Sequence, residues 1–288
     1  MNESRNLNIV ITGGGSGIGA AIALSLSKDD NNIIICGRRE DRLKDVSDDR
    51  KNIAYKTCDI SDEEQVIDFS RFVGKKFKKV DVIINCAGVF GPIDIFDKTN
   101  SEQWKKTFEI NTYGPYLIIK HLLELLLLSD TKKIVNFAGG GAFSPFPNYS
   151  AYAVSKAGIV RLSENLACEL ADKGVCINCV APGFVATDLH KVTLEAGASK
   201  AGKQYEQTIK KIKSGSVPIE IPVNCVKFLI SDRSKGLTGK TISATFDKWN
   251  SDFFQKSLIE ISDSELYSLR RINLRNLDDS DELKKNLL

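Results

Sequence analysis

The sequence has few of the features that mark membrane, secreted or nucleic-acid-binding proteins. Its most apolar stretch, residues 117–128, is interrupted by Lys120, His121 and Glu124 and is shorter than the roughly 20 residues that span a bilayer. No apolar segment follows Met1, so we expect no secretory signal. The net charge is only +3 and no basic stripe with interleaved aromatic residues occurs, so we predict neither a nucleic-acid nor a membrane partner.

The seven cysteines show no disulfide framework. Their number is odd and their spacing is irregular, which is typical of a reducing compartment, and we therefore expect a cytoplasmic location. Cys176 and Cys179 form a Cys-x-x-Cys pattern within the apolar run of residues 175–180, which predicts a strand. Residues three apart in a strand point to opposite faces, so we interpret these residues as buried thiols and predict no metal site.

A glycine-rich turn near the N-terminus is the first feature that predicts a function. Residues 8–11 are typical of a strand, residues 20–26 are typical of a helix, and Gly13, Gly17 and Gly19 lie between them. Glycines allow the backbone to approach a pyrophosphate closely, and a helix N-terminus attracts the anion. The spacing is G-x-x-x-G-x-G, not the G-x-G-x-x-G of the usual dinucleotide fingerprint. A plain glycine-rich loop is the alternative, but the flanking strand and helix favour dinucleotide binding.

The second predicted strand, residues 32–36, indicates which dinucleotide binds. It is followed by Gly37, Arg38 and Arg39. Enzymes that use NAD place an acidic residue here for the ribose 2′-OH, whereas an arginine accommodates a 2′-phosphate. Because Gly37 occupies the acidic position and Arg38 follows it, we predict NADP(H), with NAD(H) as the alternative. Two arginines at the solvated start of a helix are the other interpretation.

Tyr152 and Lys156 are four residues apart in a segment of helical character, which places both side chains on one helix face. A nearby ammonium favours the phenolate, so we expect Lys156 to lower the pKa of Tyr152 from its usual value of about 10. Tyr152 would then exchange a proton with a substrate oxygen. Alone the Tyr-x-x-x-Lys pattern is weak, because an ordinary amphipathic helix also produces it.

Several short segments occur in the order and spacing of one known family. They are the glycine-rich turn, Asp59, Asn85-Cys86-Ala87-Gly88, Asn111, the Tyr152 and Lys156 pair, and Pro182-Gly183 with Thr187. From about residue 7 to about residue 243 the chain resembles the short-chain dehydrogenase/reductase family. Several motifs in the right order are far more specific than any one of them.

The resemblance implies roles for individual residues. Tyr152 would exchange the proton, Lys156 would lower its pKa and hold the nicotinamide ribose, and Asn111 would hold a relay water through its backbone carbonyl. The cofactor contacts that the resemblance implies are Gly13, Gly15, Ser16, Gly17, Ile18, Gly19, Arg38, Asp59, Ile60, Asn85, Ala87, Gly88, Tyr152, Lys156, Pro182, Gly183 and Thr187.

One departure from the family pattern concerns the catalytic serine. Where the family carries Ile-Ser-Ser, with its serine thirteen residues before the tyrosine, this chain has Phe137, Ala138 and Gly139. The family's serine hydrogen-bonds the substrate oxygen, and losing such a donor typically costs about 3 kcal/mol of transition-state stabilisation, or roughly a hundredfold in rate. Ser144, a backbone N–H of residues 139–141 and a water are the candidate replacements.

Strand-like and helix-like segments alternate along the rest of the chain, at residues 53–57, 62–77, 80–84, 133–137, 152–172 and 176–180. This alternation predicts an α/β fold, a single Rossmann-type doubly wound parallel sheet with helices on both faces. We expect residues 1–246 to form the catalytic domain, in which residues 187–216 form a substrate lid. Residues 247–288 are expected to be a C-terminal extension.

Three expectations concern the surface and the extension. We interpret the lid lysines as a solvated face, with contact to an anionic substrate as the alternative, and we expect His190 in an exposed loop. Residues 117–128 form a helix so widely apolar that we expect it to pack on the sheet and on a second subunit, in a homodimer or homotetramer. We expect residues 253–272 to pack on the core or on a neighbouring subunit near the substrate cleft, because they have apolar area to bury at Phe253, Phe254, Leu266, Tyr267 and Leu269.

Two functional hypotheses follow. The first is an NADP(H)-dependent oxidoreductase that interconverts a carbonyl and a secondary alcohol on a small-molecule substrate. Residues 139–142 and the extension resemble a subgroup associated with bacterial surface-polysaccharide pathways, which implies a sugar or nucleotide sugar. The second is a catalytically impaired nucleotide-binding protein with a sensor or structural role, which the missing serine would permit. The arrangement of Tyr152, Lys156 and Asn111 favours the enzyme.

Overall fold

Seven strands form the centre of the protein, whose computed structural model describes residues 6–270. The strands are β1 (Asn8–Thr12), β2 (Asn32–Gly37), β3 (Ile53–Thr57), β4 (Val82–Asn85), β5 (Lys133–Phe137), β6 (Cys176–Ala181) and β7 (Thr241–Ser243). They form one sheet in the order β3-β2-β1-β4-β5-β6-β7, and every pairing is parallel. The predicted doubly wound parallel sheet is confirmed.

Helices cover both faces of this sheet. They are α1 (Gly17–Ser27), α2 (Glu40–Ser47), α3 (Glu63–Lys76), α4 (Ser101–Phe108), α5 (Gly114–Leu127), α6 (Ser150–Glu169), α7 (Asp188–Ala201), α8 (Lys203–Ser214), α9 (Glu220–Ile230), α10 (Asp252–Lys256) and α11 (Leu258–Asp263). A π-helical turn, Glu109–Tyr113, joins α4 to α5. Among the helices of residues 6–270, none combines the length and the apolar content that a membrane crossing requires.

The sheet divides the apolar core into two layers. Ile9 and Ile11 of β1 pack in the layer that includes side chains of α1 and α9, whereas Val10 packs in the layer of α3 and α5. All three side chains are fully buried. Because successive residues of a strand point to opposite faces, a strand covered on both sides needs a continuous apolar run. This requirement explains the near-continuous apolar runs of β1, β2 and β4.

The strand order reverses at β1, whose neighbours are β2 and β4. In an open parallel sheet, ligands bind outside the carboxyl ends of the strands at such a reversal. Thr12 ends β1, Asn85 ends β4 and Phe137 ends β5, so the segments that follow these residues lie at the same edge of the sheet. The fold thereby brings the glycine-rich turn, residues 86–89 and the segment that lacks the serine to one place.

The predicted lid, residues 187–216, contains α7 and α8. Gly197 interrupts α7 with a φ of +75°, a backbone angle that favours glycine. His190 lies on α7 and is half-buried, so its predicted location in an exposed loop is wrong. The reason is that its ring packs between Phe184 and Phe90, with centroid distances of 4.0 and 5.4 Å. Movement of this segment stays a prediction.

The described part of the predicted extension, residues 247–270, packs on the core. Phe254, on α10, is buried beside α9, and the backbone N–H of Thr241 donates to the carbonyl oxygen of Tyr267 at 2.8 Å. Phe253 and Leu266 are 80% and 60% exposed, so their predicted burial is wrong. Phe253 differs from Phe254 because neighbouring residues of a short helix point in different directions. Residues 271–288 lie outside the part of the chain that the structure describes.

Phe253 and Phe254 provide a matched test of how much this segment stabilises the fold. Phe254→Ala should lower the free energy of unfolding by about 3–5 kcal/mol, because it removes a buried ring and leaves a cavity. Phe253→Ala should change it by no more than about 0.5 kcal/mol, because that ring is exposed. Urea denaturation measures both values, and equal effects of the two substitutions would contradict the packing described.

Candidate active site

A cavity of about 810 Å³ opens at the carboxyl end of β1. Gly13 and Gly17 have φ values of +69° and +55°, and a Cβ on Gly19 would lie 2.4 Å from the carbonyl oxygen of Gly13. Side chains at these positions would strain or block the turn. No side chain caps the N-terminus of α1, and no acidic residue lies in its first turn. Its N–H groups and its dipole are therefore arranged to bind a phosphate, which fits a dinucleotide.

Most of the predicted cofactor residues line this cavity. They are Gly13, Gly15, Ser16, Gly17, Ile18, Gly19, Arg38, Asp59, Ile60, Ala87, Gly88, Tyr152, Lys156, Pro182 and Thr187. Asn85 does not, because its side chain is buried in the sheet, where its Nδ2 donates to Asn136 Oδ1 at 2.9 Å. Gly183 lines a second cavity instead. Asn85 thus supports the strands that border the cavity and does not take the predicted location of a cofactor contact.

Three arginines line the end of the cavity beside β2. Arg38 and Arg39 were identified in the sequence, and Arg42 joins them from α2. The side chain of Arg39 donates to Ser16 Oγ at 3.0 Å. Burial raises the pKa of Asp59, but hydrogen bonds from Ser61 and the charges of Lys106 and Arg38 outweigh it, so the pKa is lowered. The four-residue spacing from Arg38 to Arg42 was the signal that sequence reasoning missed.

A second cavity of about 820 Å³ meets the first one. Six residues line both cavities: Ile18, Phe90, Tyr152, Pro182, Thr187 and Leu189. Tyr152 is the titratable residue among these six. Its hydroxyl proton is therefore accessible from both cavities. We call the two spaces the cofactor cavity and the substrate cavity, because the first contains the phosphate-binding turn and the second does not.

The ring of Tyr152 is held by aromatic neighbours. Its centroid lies 4.8 Å from that of Phe90, in an edge-to-face arrangement, and 6.1 Å from that of Phe146. Tyr152 is 8% exposed, and burial raises the pKa of its hydroxyl well above the usual range. The predicted lowering of this pKa by Lys156 is therefore wrong for the protein without cofactor, because desolvation of the phenolate outweighs the nearby positive charge.

Lys156 lies on the same face of α6 as Tyr152, as the spacing predicted. Its Nζ is 5.8 Å from the centroid of the Tyr152 ring and donates to the carbonyl oxygen of Phe137 at 2.7 Å. Burial lowers the pKa of Lys156 to about 8, an effect that the neighbouring thiols of Cys86 and Cys179 partly offset. The ammonium is thus fixed by the end of β5 at a short distance from the phenol.

Asn111 lies in the π-helical turn and is buried. Its Oδ1 accepts from the backbone N–H of Val89 at 2.9 Å, and its Nδ2 donates to the carbonyl oxygen of Val89 at 2.8 Å. A Cβ on Gly88 would lie 3.2 Å from Asn111 Oδ1 and 3.5 Å from Lys156 Nζ. The predicted catalytic residues Tyr152, Lys156 and Asn111 therefore converge beside the loop that follows β4, and Asn111 fixes that loop through its side chain.

The position of the missing serine is filled by Tyr152. A Cβ on Gly139 would lie 2.2 Å from the hydroxyl oxygen of Tyr152 and 2.9 Å from its Cζ. Ser144, the candidate replacement, is exposed, donates to the carbonyl oxygen of Gly140 at 3.4 Å and does not line the substrate cavity. Backbone N–H groups of residues 139–141 and water remain as candidate donors to the substrate oxygen.

Comparison with known proteins identifies the family. The profile described as short chain dehydrogenase matches residues 7–197, and the chain belongs to that family. The 3-oxoacyl-(acyl-carrier-protein) reductase FabG of Rickettsia felis is 29% identical over 235 residues, which cover 81% of this chain and 92% of that protein. The NAD-dependent glycerol dehydrogenase of Listeria innocua is 29% identical over 236 residues, which cover 81% and 90%.

Solved structures share this fold and include reductases that use NADPH. A variant of actinorhodin polyketide ketoreductase with NADPH has a TM-score of 0.76 at 25% identity and covers 84% of this chain and 97% of that chain. YwfH, an NADPH-dependent reductase involved in bacilysin biosynthesis, has a TM-score of 0.74 at 25% identity, with coverage of 83% and 97%. The predictions of a Rossmann-type fold and of an oxidoreductase family are confirmed.

The contact between Gly139 and Tyr152 gives a test with an internal control. Gly139→Ser should lower turnover, because the new side chain must displace a phenol that is packed against Phe90, and a displacement of about 1 Å costs roughly a hundredfold in rate. Gly140→Ser should retain most of the activity, since a Cβ there meets nothing within 4 Å. Steady-state kinetics measures both variants. A rate increase in Gly139→Ser would show that a side chain at residue 139 does not displace Tyr152 from its productive position.

Proposed function

We propose that the protein is an NADP(H)-dependent oxidoreductase that interconverts a carbonyl and a secondary alcohol. The observation that carries the proposal is the location of Tyr152, whose side chain borders both the cofactor cavity and the substrate cavity. A proton donor at that junction is what the reaction requires, because hydride and proton must reach adjacent atoms of one carbonyl group. The family and its NADPH-using structural neighbours support the same activity.

NADPH, when bound, would be the source of the hydride, and the protein would supply the proton. Tyr152 gives its hydroxyl proton to the carbonyl oxygen. Because burial raises its pKa, the phenol is fully protonated at neutral pH and carries the proton that reduction requires, although the same shift makes it a weaker acid. Lys156 is charged below about pH 8 and would hold the ribose of the cofactor and restore the proton through Asn111 and water.

The preference for NADP(H) over NAD(H) is supported by the charges at the end of β2. Arg38, Arg39 and Arg42 line the cofactor cavity there, and Gly37 offers no carboxylate to a ribose 2′-OH. Guanidinium groups bind phosphate oxygens through paired charge-assisted hydrogen bonds. One relative is described as NAD-dependent, so the family itself does not decide the cofactor.

A second candidate function is cofactor binding without turnover. It is favoured by the absence of a hydroxyl at Ala138 and Gly139 and by the location of Ser144 outside the substrate cavity. Such a protein would keep the phosphate-binding turn and the arginines. It would have no use for a buried lysine beside a tyrosine, since burying that charge is costly. We therefore favour the enzyme.

We also propose a homodimer or homotetramer that uses α5. Tyr113, Tyr116 and Leu128, at and beside the ends of this helix, are 37%, 38% and 67% exposed, which leaves apolar area for a second subunit.

A cytoplasmic location and a substrate that is a sugar or nucleotide sugar stay predictions from the sequence. The seven cysteines all have free thiols.

Tyr152→Phe tests the proposed chemistry. The variant should lose at least a hundredfold in the rate of NADPH-dependent ketone reduction, because it removes the proton donor and leaves the ring in place. Its affinity for NADPH, measured by fluorescence titration, should stay within about twofold. If the variant reduced ketones as fast as the parent protein, Tyr152 would not be the acid. If neither protein consumed NADPH with any carbonyl compound, binding without turnover would be the better conclusion.

Arg38→Asp tests the choice of cofactor. The parent protein should bind NADPH at least tenfold more tightly than NADH, and the variant should lose this preference, because a carboxylate repels the 2′-phosphate and accepts a hydrogen bond from the 2′-OH. Arg71→Asp is the matched control, since Arg71 is exposed on α3 and lines neither cavity. Calorimetric titration with NADPH and with NADH measures both dissociation constants for the parent protein and for each variant. A preference that survives in Arg38→Asp would exclude this residue as its source.

A further inference from the structure

Aromatic rings form one part of the wall of the substrate cavity, and serine, threonine and glutamine side chains form another. Phe146 and Tyr149 lie with ring centroids 4.5 Å apart, and Phe184 and His190 lie 4.0 Å apart. The hydroxyl of Tyr149 donates to Thr193 Oγ1 at 3.0 Å, so it already has a partner. Further rings come from Phe90, Phe143, Phe246 and Tyr267. Aromatic walls of this kind gain most from a flat apolar ligand that stacks on them.

The same wall carries almost no net charge. Among the described residues that line the cavity, the charged side chains are Lys211 and Asp247. The carboxylate of Asp247 accepts the backbone N–H of Ser243 at 2.6 Å. Burial and then the charge of Lys211 lower the pKa of His190 to about 4, so its ring is uncharged at neutral pH. Among its described residues the wall of the substrate cavity therefore carries one cation, Lys211, and one anion, Asp247.

Lys211 differs from the other lysines of the lid segment. It lines the cavity from α8 together with Gln204 and Gln207, whereas Lys210 and Lys213 of the same helix do not. Its Nζ is 5.3 Å from the centroid of the Phe184 ring, and no described carboxylate pairs with it. The sequence alone gave all the lid lysines the same interpretation, a solvated face. The structure singles out one of them as a cation beside an aromatic wall.

These features disfavour a nucleotide sugar as the substrate. A diphosphate carries about two negative charges and is usually bound by arginines or helix N-termini. Among its described residues the substrate cavity offers Lys211 as its one cation and no arginine, although its serine, threonine and glutamine side chains are suitable partners for sugar hydroxyls. A volume of about 820 Å³ nevertheless accommodates a molecule of two or three fused rings.

We propose that the substrate is a ketone with a flat aromatic or fused-ring body and a single anionic group, which Lys211 binds at the rim while the carbonyl lies at Tyr152. This inference rests on the proposed reduction of a carbonyl. It adds the class of substrate, and it proposes that Lys211 selects substrates that carry an anionic group. Because Lys211 is exposed, its ion pair should contribute a modest factor, roughly fivefold, rather than decide binding alone.

The test compares β-tetralone, a carboxylated β-tetralone and a UDP-linked keto-sugar in NADPH-dependent reduction. The carboxylated tetralone should have the highest kcat/KM, roughly fivefold above the neutral one, and the keto-sugar the lowest. Lys211→Met should remove the fivefold difference and leave the neutral tetralone within twofold. Lys213→Met, on the same helix but outside the cavity, should change neither value. A keto-sugar that is reduced faster than either tetralone would overturn the proposed substrate class and leave the proposed reaction intact.

A binding measurement separates failure of this inference from failure of the proposed function. β-Naphthoate has the flat body and the anion but no ketone, so its binding needs no turnover. Calorimetric titration in the presence of NADPH should show binding that Lys211→Met weakens roughly fivefold and Lys213→Met does not. If β-naphthoate binds in this way but no ketone is reduced, the proposed oxidoreductase activity is wrong and the proposed ligand class of the substrate cavity is supported. No binding of β-naphthoate, or equal affinity in both variants, would overturn the role of Lys211.

Discussion

The contact of the Tyr152 hydroxyl with the backbone of Gly139 is the constraint on which the rest of the site depends. A single Cβ at residue 139 would lie 2.2 Å from the phenol oxygen, so the phenol can occupy its place only because that residue is glycine. The ring is then held from its other side by Phe90 and Phe146. In this chain the missing side chain at residue 139 and the location of the phenol are therefore linked by packing, and the missing hydroxyl alone does not show that catalysis has been lost.

The electrostatics of the site follow from this packing. A phenol buried among aromatic rings resists ionisation, and a lysine buried nearby resists protonation, so burial moves the pKa of Tyr152 up and that of Lys156 down, away from each other. Lys156 Nζ is bound to the carbonyl oxygen of Phe137, which lies at the end of β5 just before the segment that lacks the serine. The strand that brings Gly139 to the phenol thus also fixes the ammonium, and both groups are positioned by the sheet edge.

The strands and most of the residues that line the cofactor cavity could be predicted from sequence because their causes are local. Apolar runs give the strands, and glycines followed by a helix give the phosphate-binding turn. The contacts that decide the chemistry are not local. The Lys156 ammonium meets a carbonyl nineteen residues away, and His190 packs on Phe90, one hundred residues earlier. Residue spacing indicates a shared helix face, but it does not give the desolvation that raises the pKa of Tyr152, because that depends on side chains from several elements.

The two cavities differ in the charge and polarity of their walls. The cofactor cavity has three arginines, backbone N–H groups at the start of α1 and glycines that let a charged ligand approach, so its affinity depends on phosphate. The substrate cavity has aromatic rings, polar side chains and nearly balanced charge, which suits a less charged ligand. Tyr152 lies where the two cavities meet, and in the proposed reaction this location would put the proton donor beside the substrate carbonyl.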